Sequence, residues 1–418
     1  MIKIIHISDI RLEPCLPYLE PEMQEKRKSD LISALVKLLE TARREKPDCI
    51  LVSGNLFDTP APPPSRVLEV VDIFNSFCEG TGTHLFLISG QRDTPVKNSG
   101  QESPISAFPR TSLIHVFEET DDFGAITVTL SSGQDLTVYG KSFCSSEMDI
   151  SRFIPIHETS EPAILMATAY PAGCPWNENH CNLPAINAEN LQKSGATLIA
   201  LGGLESSYHH SIENSSLLIL NPGCPEGVSI DPSGGCNRGN AFMVNIQPFS
   251  DNQREGTINF TPLNHQPIPF HHLTIRTTPE VVNLEALCSD EFHKLSNNIE
   301  RGFLAVTLEG KIYFDAFSKL NRKRVLTEAG RYAQCVALNC NMTIIDPSAP
   351  STDTLENLDV SLVYRTIFEE KLRECSSKGD SEKAQLLTRA MNTGIDALSQ
   401  AREINENPYA HRTDGESR

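Results

Sequence analysis

No apolar run in this chain approaches the ~18 residues that a membrane-crossing helix needs, so a helical membrane span is excluded. The N-terminal MIKIIHISD enters a strand pattern without the apolar core and small-residue cleavage site of a secretory signal, which makes a cytoplasmic location the expectation. Paired CxxC spacing is missing too. The 12 cysteines are scattered singly (Cys15, Cys49, Cys78, Cys144 and onward), which excludes a dense disulfide framework and leaves most as reduced thiols. The densest cluster, Cys174, His180 and Cys181 with Cys224 or Cys236 as further donors, lacks the spacing that brings two thiolates onto one zinc ion. Positive charge is scarce as well: 36 Lys and Arg against 54 Asp and Glu leave a net charge of -18. Such a field repels nucleic acid, so any DNA contact must come from a local patch. The candidates are residues 319–324 (KLNRKR) and 43–46, with a solvated helix face as the alternative for both. There is no internal repeat.

What is present is ordinary for a globular chain, with 39% hydrophobic and 22% charged residues. At 418 residues it exceeds what one core usually absorbs, and two or three domains are expected. Residues 2–7 read as a strand buried on both faces. Residues 30–46 carry Leu31, Leu35, Leu38 and Leu39 at helical spacing and end in basic residues that suit the negative end of a helix dipole. A strand at 48–52, a helix at 65–77 and a strand at 84–88 continue a β-α-β rhythm, which places functional loops at the carboxyl ends of the strands. Strands are expected at 125–130, 136–140, 163–166 and 198–201, then antiparallel ones at 216–220, 241–246 and 256–262. Together they predict a two-sheet sandwich flanked by helices. Prolines near 264–269 break the pattern. A small α/β segment follows, with strands at 272–277, 302–309 and 343–345 and helices at 279–300 and 314–325. Residues 346–356 read as a linker. Helical spacing returns in 357–403, where Leu362, Ile367, Phe368 and Leu372 form an apolar stripe, and residues 404–418 read as a disordered tail.

Four segments carry the chemistry: SDIRLE (8–13), SGNLFD (53–58), SGQRD (89–93) and ALGGLES (200–206). Each follows an apolar run and so sits where a buried strand presents a loop. Their order and spacing resemble the calcineurin-like metallophosphoesterase superfamily, whose motifs run DxH, GDxxD, GNHD, a later His, and GHxH. The chain is most similar to the branch of SbcD-type nucleases and YhaO-like DNA repair exonucleases. That resemblance covers roughly residues 1–265, including NPGCPEG (221–227) and GNAFMVNI (239–246), and extends weakly beyond. It implies a four-layer α-β-β-α sandwich (1–265), a small α/β capping domain (266–345) and C-terminal helices (357–403).

The family's reaction needs carboxylates, imidazoles and an amide around two ions about 3.5 to 4 Å apart. Carried over position by position, Asp9 fits the first ligand but Arg11 replaces the His of DxH. Asn55 stands at the bridging Asp, and Asp58 matches the motif's outer Asp. Gln91 replaces the Asn ligand, and Arg92 the catalytic His that Asp93 would partner. The later His falls at Ala167 or Thr168, and Gly203 and Glu205 replace both His of GHxH. Six of seven ligand positions are thus substituted.

These substitutions imply a degenerate site, with no cofactor expected and no catalytic residue. Arg11 and Arg92 are read as neutralising Asp9, Asp93 or Glu205 in place of metal, while Asp58 and Asp93 fix their own turns. The protein is then a scaffold or regulatory subunit in DNA processing, its C-terminal helices docking on an SMC-like coiled-coil ATPase. Two alternatives stay open. One is an active metal-dependent phosphoesterase or DNA exonuclease with a rearranged or single-metal site, using Mn2+ or another divalent ion on Asp9, Gln91, Glu205 and His209. Another is a phosphate-binding module in which Arg11 and Arg92 form the anion fork. A homodimer is also compatible with the resemblance. His209 and His210 are otherwise surface residues on the following strand.

Overall fold

The computed structural model describes residues 1–16, 19–97, 99–117, 122–144, 162–171, 183–186, 194–211, 217–228, 239–247, 257–295, 302–345, 368, 371–373, 375 and 381–406. The chain forms two compact units, Met1–Thr343 and Ile344–Arg418. In chain order the first unit opens with β1 (Ile2–Ile7), α1 (Pro21–Glu45), β2 (Cys49–Ser53), α2 (Pro64–Thr81), β3 (His84–Ile88) and β4 (Ile114–Val116). Next come β5 (Gly124–Thr129), β6 (Asp135–Lys141), β7 (Ala163–Thr168), the two-residue pair β8 (Tyr170–Pro171) and β9 (Ala185–Ile186), and β10 (Leu198–Gly202). Then follow β11 (Tyr208–Ser211), β12 (Leu218–Asn221), β13 (Phe242–Gln247) and β14 (Thr257–Pro262).

These strands make two six-stranded sheets, ordered β14-β13-β1-β2-β3-β4 and β11-β12-β10-β7-β6-β5. Strands β1 to β4 run parallel, as do β6, β7, β10 and β12. The expectation that 216–220 is antiparallel is corrected for β12 against β10; only its other neighbour, β11, opposes it.

Strand alternation splits each sheet's side chains into two layers. Ile4, Leu51 and Phe86 face the second sheet and pack with Val138, Ile164, Met166 and Leu198. Ile5, Ile50 and Leu87 face the other way, onto Leu31, Leu35 and Leu38 of α1 and Val70 and Phe74 of α2. The outer face of the second sheet carries buried Leu165, Ile199 and Leu201. Among the described residues no helix covers that face.

The first unit ends with β15 (Phe270–Thr277), α3 (Leu284–His293), β16 (Phe303–Tyr313), α4 (Phe314–Phe317), α5 (Arg322–Ala329) and β17 (Cys335–Ile345). Leu284, Cys288 and Phe292 of α3 and Val325 of α5 cover one face of the β15-β16-β17 sheet. From the opposite face, Phe303, Ala305, Cys335 and Ala337 join the core that contains α1. Local capping explains where the sequence expectations missed. The helix expected over 279–300 begins only at Leu284, because the Asn283 side chain accepts the Ala286 N–H at 3.1 Å. The helix expected over 314–325 is two helices, since Asn321 caps a new one by accepting the Arg324 N–H at 3.1 Å. Helix α1 starts nine residues earlier than the apolar stripe indicates, at Pro21, whose fixed φ suits a first helical turn.

In the second unit, α6 spans Ser381–Glu406, so 404–406 are helical rather than part of the expected tail. Ala384, Leu387, Met391 and Ile395 lie along its less exposed side. Phe368 and Leu372 are described and half-buried, whereas Leu362, Ile367, the expected linker and residues 407–418 lie outside the described residues.

Candidate functional site

The four loops meet at the carboxyl ends of β1, β2, β3 and β10, as parallel strands require. Loops 8–13 and 53–58 zip together beyond their strands. The Arg11 N–H donates to the Asn55 carbonyl at 2.9 Å, Leu12 to Leu56 at 2.9 Å and Asp58 to Leu12 at 2.8 Å. This path forces Asp9 (φ 52), Arg11 (φ 54), Glu13 (φ 57) and Asn55 (φ 52) into the left-handed region, which non-glycine residues seldom occupy. Such backbone persists only where its surroundings over-determine it. The second sheet closes against these loops at Gly202. A Cβ there would collide with the Ser53 carbonyl.

Asp9 is buried and committed on both oxygens. Oδ1 accepts from the Asn55 side-chain amide at 2.7 Å and Oδ2 from the Gly203 N–H at 2.8 Å. The other end of the Asn55 amide accepts the Arg92 N–H at 2.8 Å, which fixes its oxygen there and turns its NH2 toward Asp9. Burial raises the Asp9 pKa to about 6, against the hydrogen bonds from Asn55 and Gly203. Asp93 accepts from the Gly90 N–H at 2.5 Å and the Phe57 N–H at 3.3 Å, and burial raises it to about 7.

The charged pairs connect differently from the sequence reading, which aimed the arginines at Asp9, Asp93 or Glu205. Arg11 Nε lies 2.6 Å from Asp58 Oδ1, and its Nη1 contacts Glu205 Oε1. Arg92 repeats the bridge from outside, with Nη1 3.2 Å from the same Asp58 oxygen and Nη2 3.5 Å from the same Glu205 oxygen. Two guanidiniums and two carboxylates therefore form a closed square. Asp58 does more than fix its turn, while Asp9 and Asp93 are left to amide and backbone donors because the arginine side chains turn the other way. The square has a buried and an outer half: the Arg11 side chain is 5% exposed and that of Arg92 42%. Burial pulls the Arg11 pKa down, but Asp58 first and then Glu205 outweigh it, so the guanidinium is held charged.

Other sequence candidates fall around this square. Thr168 takes the site side of β7, its Oγ1 3.4 Å from the Ser89 carbonyl, while Ala167 faces the outer core, so of the two only Thr168 faces the four loops. Gly203 has φ 104, and a Cβ there would meet Leu183 Cδ1 at 2.7 Å. A His at that position would be strained as well as crowded. Gln91 is half-buried in the 89–93 loop. His209 and His210 are exposed on β11, where the His209 ring packs 5.0 Å from Phe260. Cys224 is fully buried, and burial holds its thiol well above the ordinary range. Cys174, His180, Cys181 and Cys236 lie outside the described residues.

Sequence reasoning missed the outer ring. Glu13 is buried between Arg66 Nε at 3.0 Å and Lys28 Nζ at 3.5 Å, tying the first loop to α2 and α1. Only the three-dimensional packing of the helices identifies that ring, since neither cation lies in a motif.

Residues 2–202 match the family model for calcineurin-like phosphoesterases. This region is a calcineurin-like phosphoesterase domain. The chain is similar to the DNA double-strand break repair protein Mre11 of Aeropyrum pernix, 30% identical over 95 residues, 23% of this chain and 22% of that one. It is also 30% identical over 113 residues to the SbcD component of the SbcCD nuclease of Escherichia coli, 27% of this chain and 26% of the relative. The matches thus span about a quarter of the length of these curated relatives.

The donors of this phosphoesterase domain do not fit the two divalent ions that the family resemblance implies. The Asp9 oxygens are taken, Asn55 offers an NH2 where a bridging ion needs a carboxylate, and two fixed cations already sit between Asp58 and Glu205. Among the described residues no group of three or more His, Cys, Asp or Glu side chains is placed to hold an ion.

Proposed function

We propose that this protein is a non-hydrolytic member of the SbcD-like branch, acting as a scaffold or regulatory subunit in DNA processing. The observation that carries the proposal is the Arg11–Asp58–Arg92–Glu205 square together with the Asn55 bridge to Asp9. Four charges cancel within the square and Asp9 and Asp93 are held by amide and backbone donors, so among the described residues the four loops offer neither an open carboxylate to activate water nor an imidazole at the substituted His positions to protonate a leaving group. The same cancellation weakens the anion-fork alternative, because both arginines already face carboxylates. DNA repair enters from the names of the relatives, and a coiled-coil ATPase partner from the family resemblance. The C-terminal helical region 357–403 is the proposed docking element, on the strength of that resemblance.

Purified protein tested with Mn2+ on DNA ends and on an aryl phosphate is expected to show no turnover above an Asp9→Ala control. Metal-dependent turnover abolished by Asp9→Ala would overturn the proposal and restore the single-metal hydrolase.

A further inference from the structure

At the opposite end of the first sheet, two imidazoles face each other with no role in the site described above. His84 opens β3 and His115 lies in the edge strand β4, where it pairs with Phe86. Residues 84, 86 and 115 share one face of the pleat, and Phe86 is buried between the sheets. Both imidazoles sit at the half-buried rim of that core. The two rings lie end to end and nearly coplanar, with centroids 5.5 Å apart and an interplanar angle of 20°, and the His115 ring also lies on Phe86 at 4.7 Å. His84 Nδ1 is 3.2 Å from His115 Nε2.

We propose that His84 and His115 form a two-imidazole site for a divalent late transition metal such as Ni2+, Cu2+ or Zn2+. Three observations support it. Two metal–nitrogen bonds of about 2.0 to 2.1 Å at an angle of about 100° place their nitrogens about 3.2 Å apart, the separation these two already have, and each ring then turns by about 40° to aim its lone pair at the ion. Burial lowers the pKa of both rings, that of His115 to about 4, so both are neutral with a lone pair available at neutral pH. The His84 ring also hydrogen-bonds the Ser112 backbone, the kind of outer contact that orients a metal-ligating imidazole. Imidazole pairs favour these metals over Mg2+ or Ca2+, which take oxygen donors. Water completes the coordination, and the bound ion staples the three-residue edge strand β4 to β3.

The test uses the full chain, Ni2+ and isothermal titration. One Ni2+ per chain is expected, with affinity falling more than about tenfold in His84→Ala and in His115→Ala but not in Asp9→Ala, which separates this site from the phosphoesterase loops. In wild-type protein labelled at histidine, paramagnetic Ni2+ should broaden the ring signals of His84 and His115 before those of the exposed pair His209 and His210; this readout needs no variant to fold. Absence of binding, unchanged affinity in both variants, or earlier broadening at His209 and His210 would overturn the proposal.

Discussion

At the scale of single residues, Asn55 is the clearest departure from the donor set that the two ions of the family resemblance need. Its amide donates to Asp9 and accepts from Arg92, which no carboxylate can do in both directions. Asn55→Asp would set two carboxylates 2.7 Å apart, and is expected to cost about 2 kcal/mol or more in denaturant unfolding. Arg11 and Arg92 should differ sharply. Arg11→Ala leaves Asp58 buried with only the outer arginine and is expected to cost about 3 to 5 kcal/mol. Arg92→Ala, at the half-open edge, should cost under about 1 kcal/mol. Equal effects of the two would show that the buried half of the square is not dominant.

The pH response follows from Asp93, Asp9 and His6. The folded pKa values of Asp93 and Asp9 are raised to about 7 and about 6 from the usual 3.8, so the folded protein binds more protons than the unfolded chain. Stability from these two groups therefore falls as pH rises from about 4 toward about 7. His6, fully buried with Nε2 2.9 Å from Ser53 Oγ, is lowered to about 3 mainly by burial and works in the opposite sense, losing stability as pH falls below about 6.5. Between about pH 6 and about pH 7 only Asp93 still contributes strongly to the loss on the alkaline side. Asp93→Asn should flatten that segment of a stability–pH curve, whose slope is at most about 1.4 kcal/mol per pH unit per group.

At the scale of elements, positions with no chemistry decide whether the loops meet. Gly202→Ala must push β10 off the Ser53 carbonyl, parting the two sheets at the site. Its unfolding midpoint should drop clearly, whereas Gly82→Ala, where a Cβ meets nothing within 4 Å but φ is 72, should cost only about 1 kcal/mol of backbone strain. In the small sheet, Asn321→Ala removes the α5 cap and is expected to cost about 1 kcal/mol. The two Asn caps also explain why helical periodicity misjudged this segment. Apolar spacing continues across a cap, but the side chain that satisfies a backbone N–H starts a new helix there.

For the whole molecule, a charge of -18 sets the terms of any DNA contact. The basic run 319–324 is partly spent inside the protein. Arg322 Nη2 donates to the Leu338 carbonyl at 2.9 Å, and Arg324 Nη1 sits 3.1 Å from Glu285. Lys319 and Lys323 are exposed, so binding of duplex DNA, measured at low salt, should fall on Lys319→Glu with Lys323→Glu and vanish quickly as salt rises. Binding that persists in the double variant would move the contact elsewhere.

By itself the sequence determined the strand-loop order, because apolar runs and the turns after them report burial locally, and so it located the four loops and their substituted ligands. It also identified Arg11, Arg92 and Glu205 as partners in one site. Tertiary structure alone decided the pairing, choosing Asp58 and Glu205 over Asp9 and Asp93. Which carboxylate a guanidinium reaches depends on left-handed backbone at Asp9, Arg11 and Asn55 and on the approach of the second sheet through Gly202. The same limit hid His84 and His115, which only the register of β3 and β4 brings ring to ring.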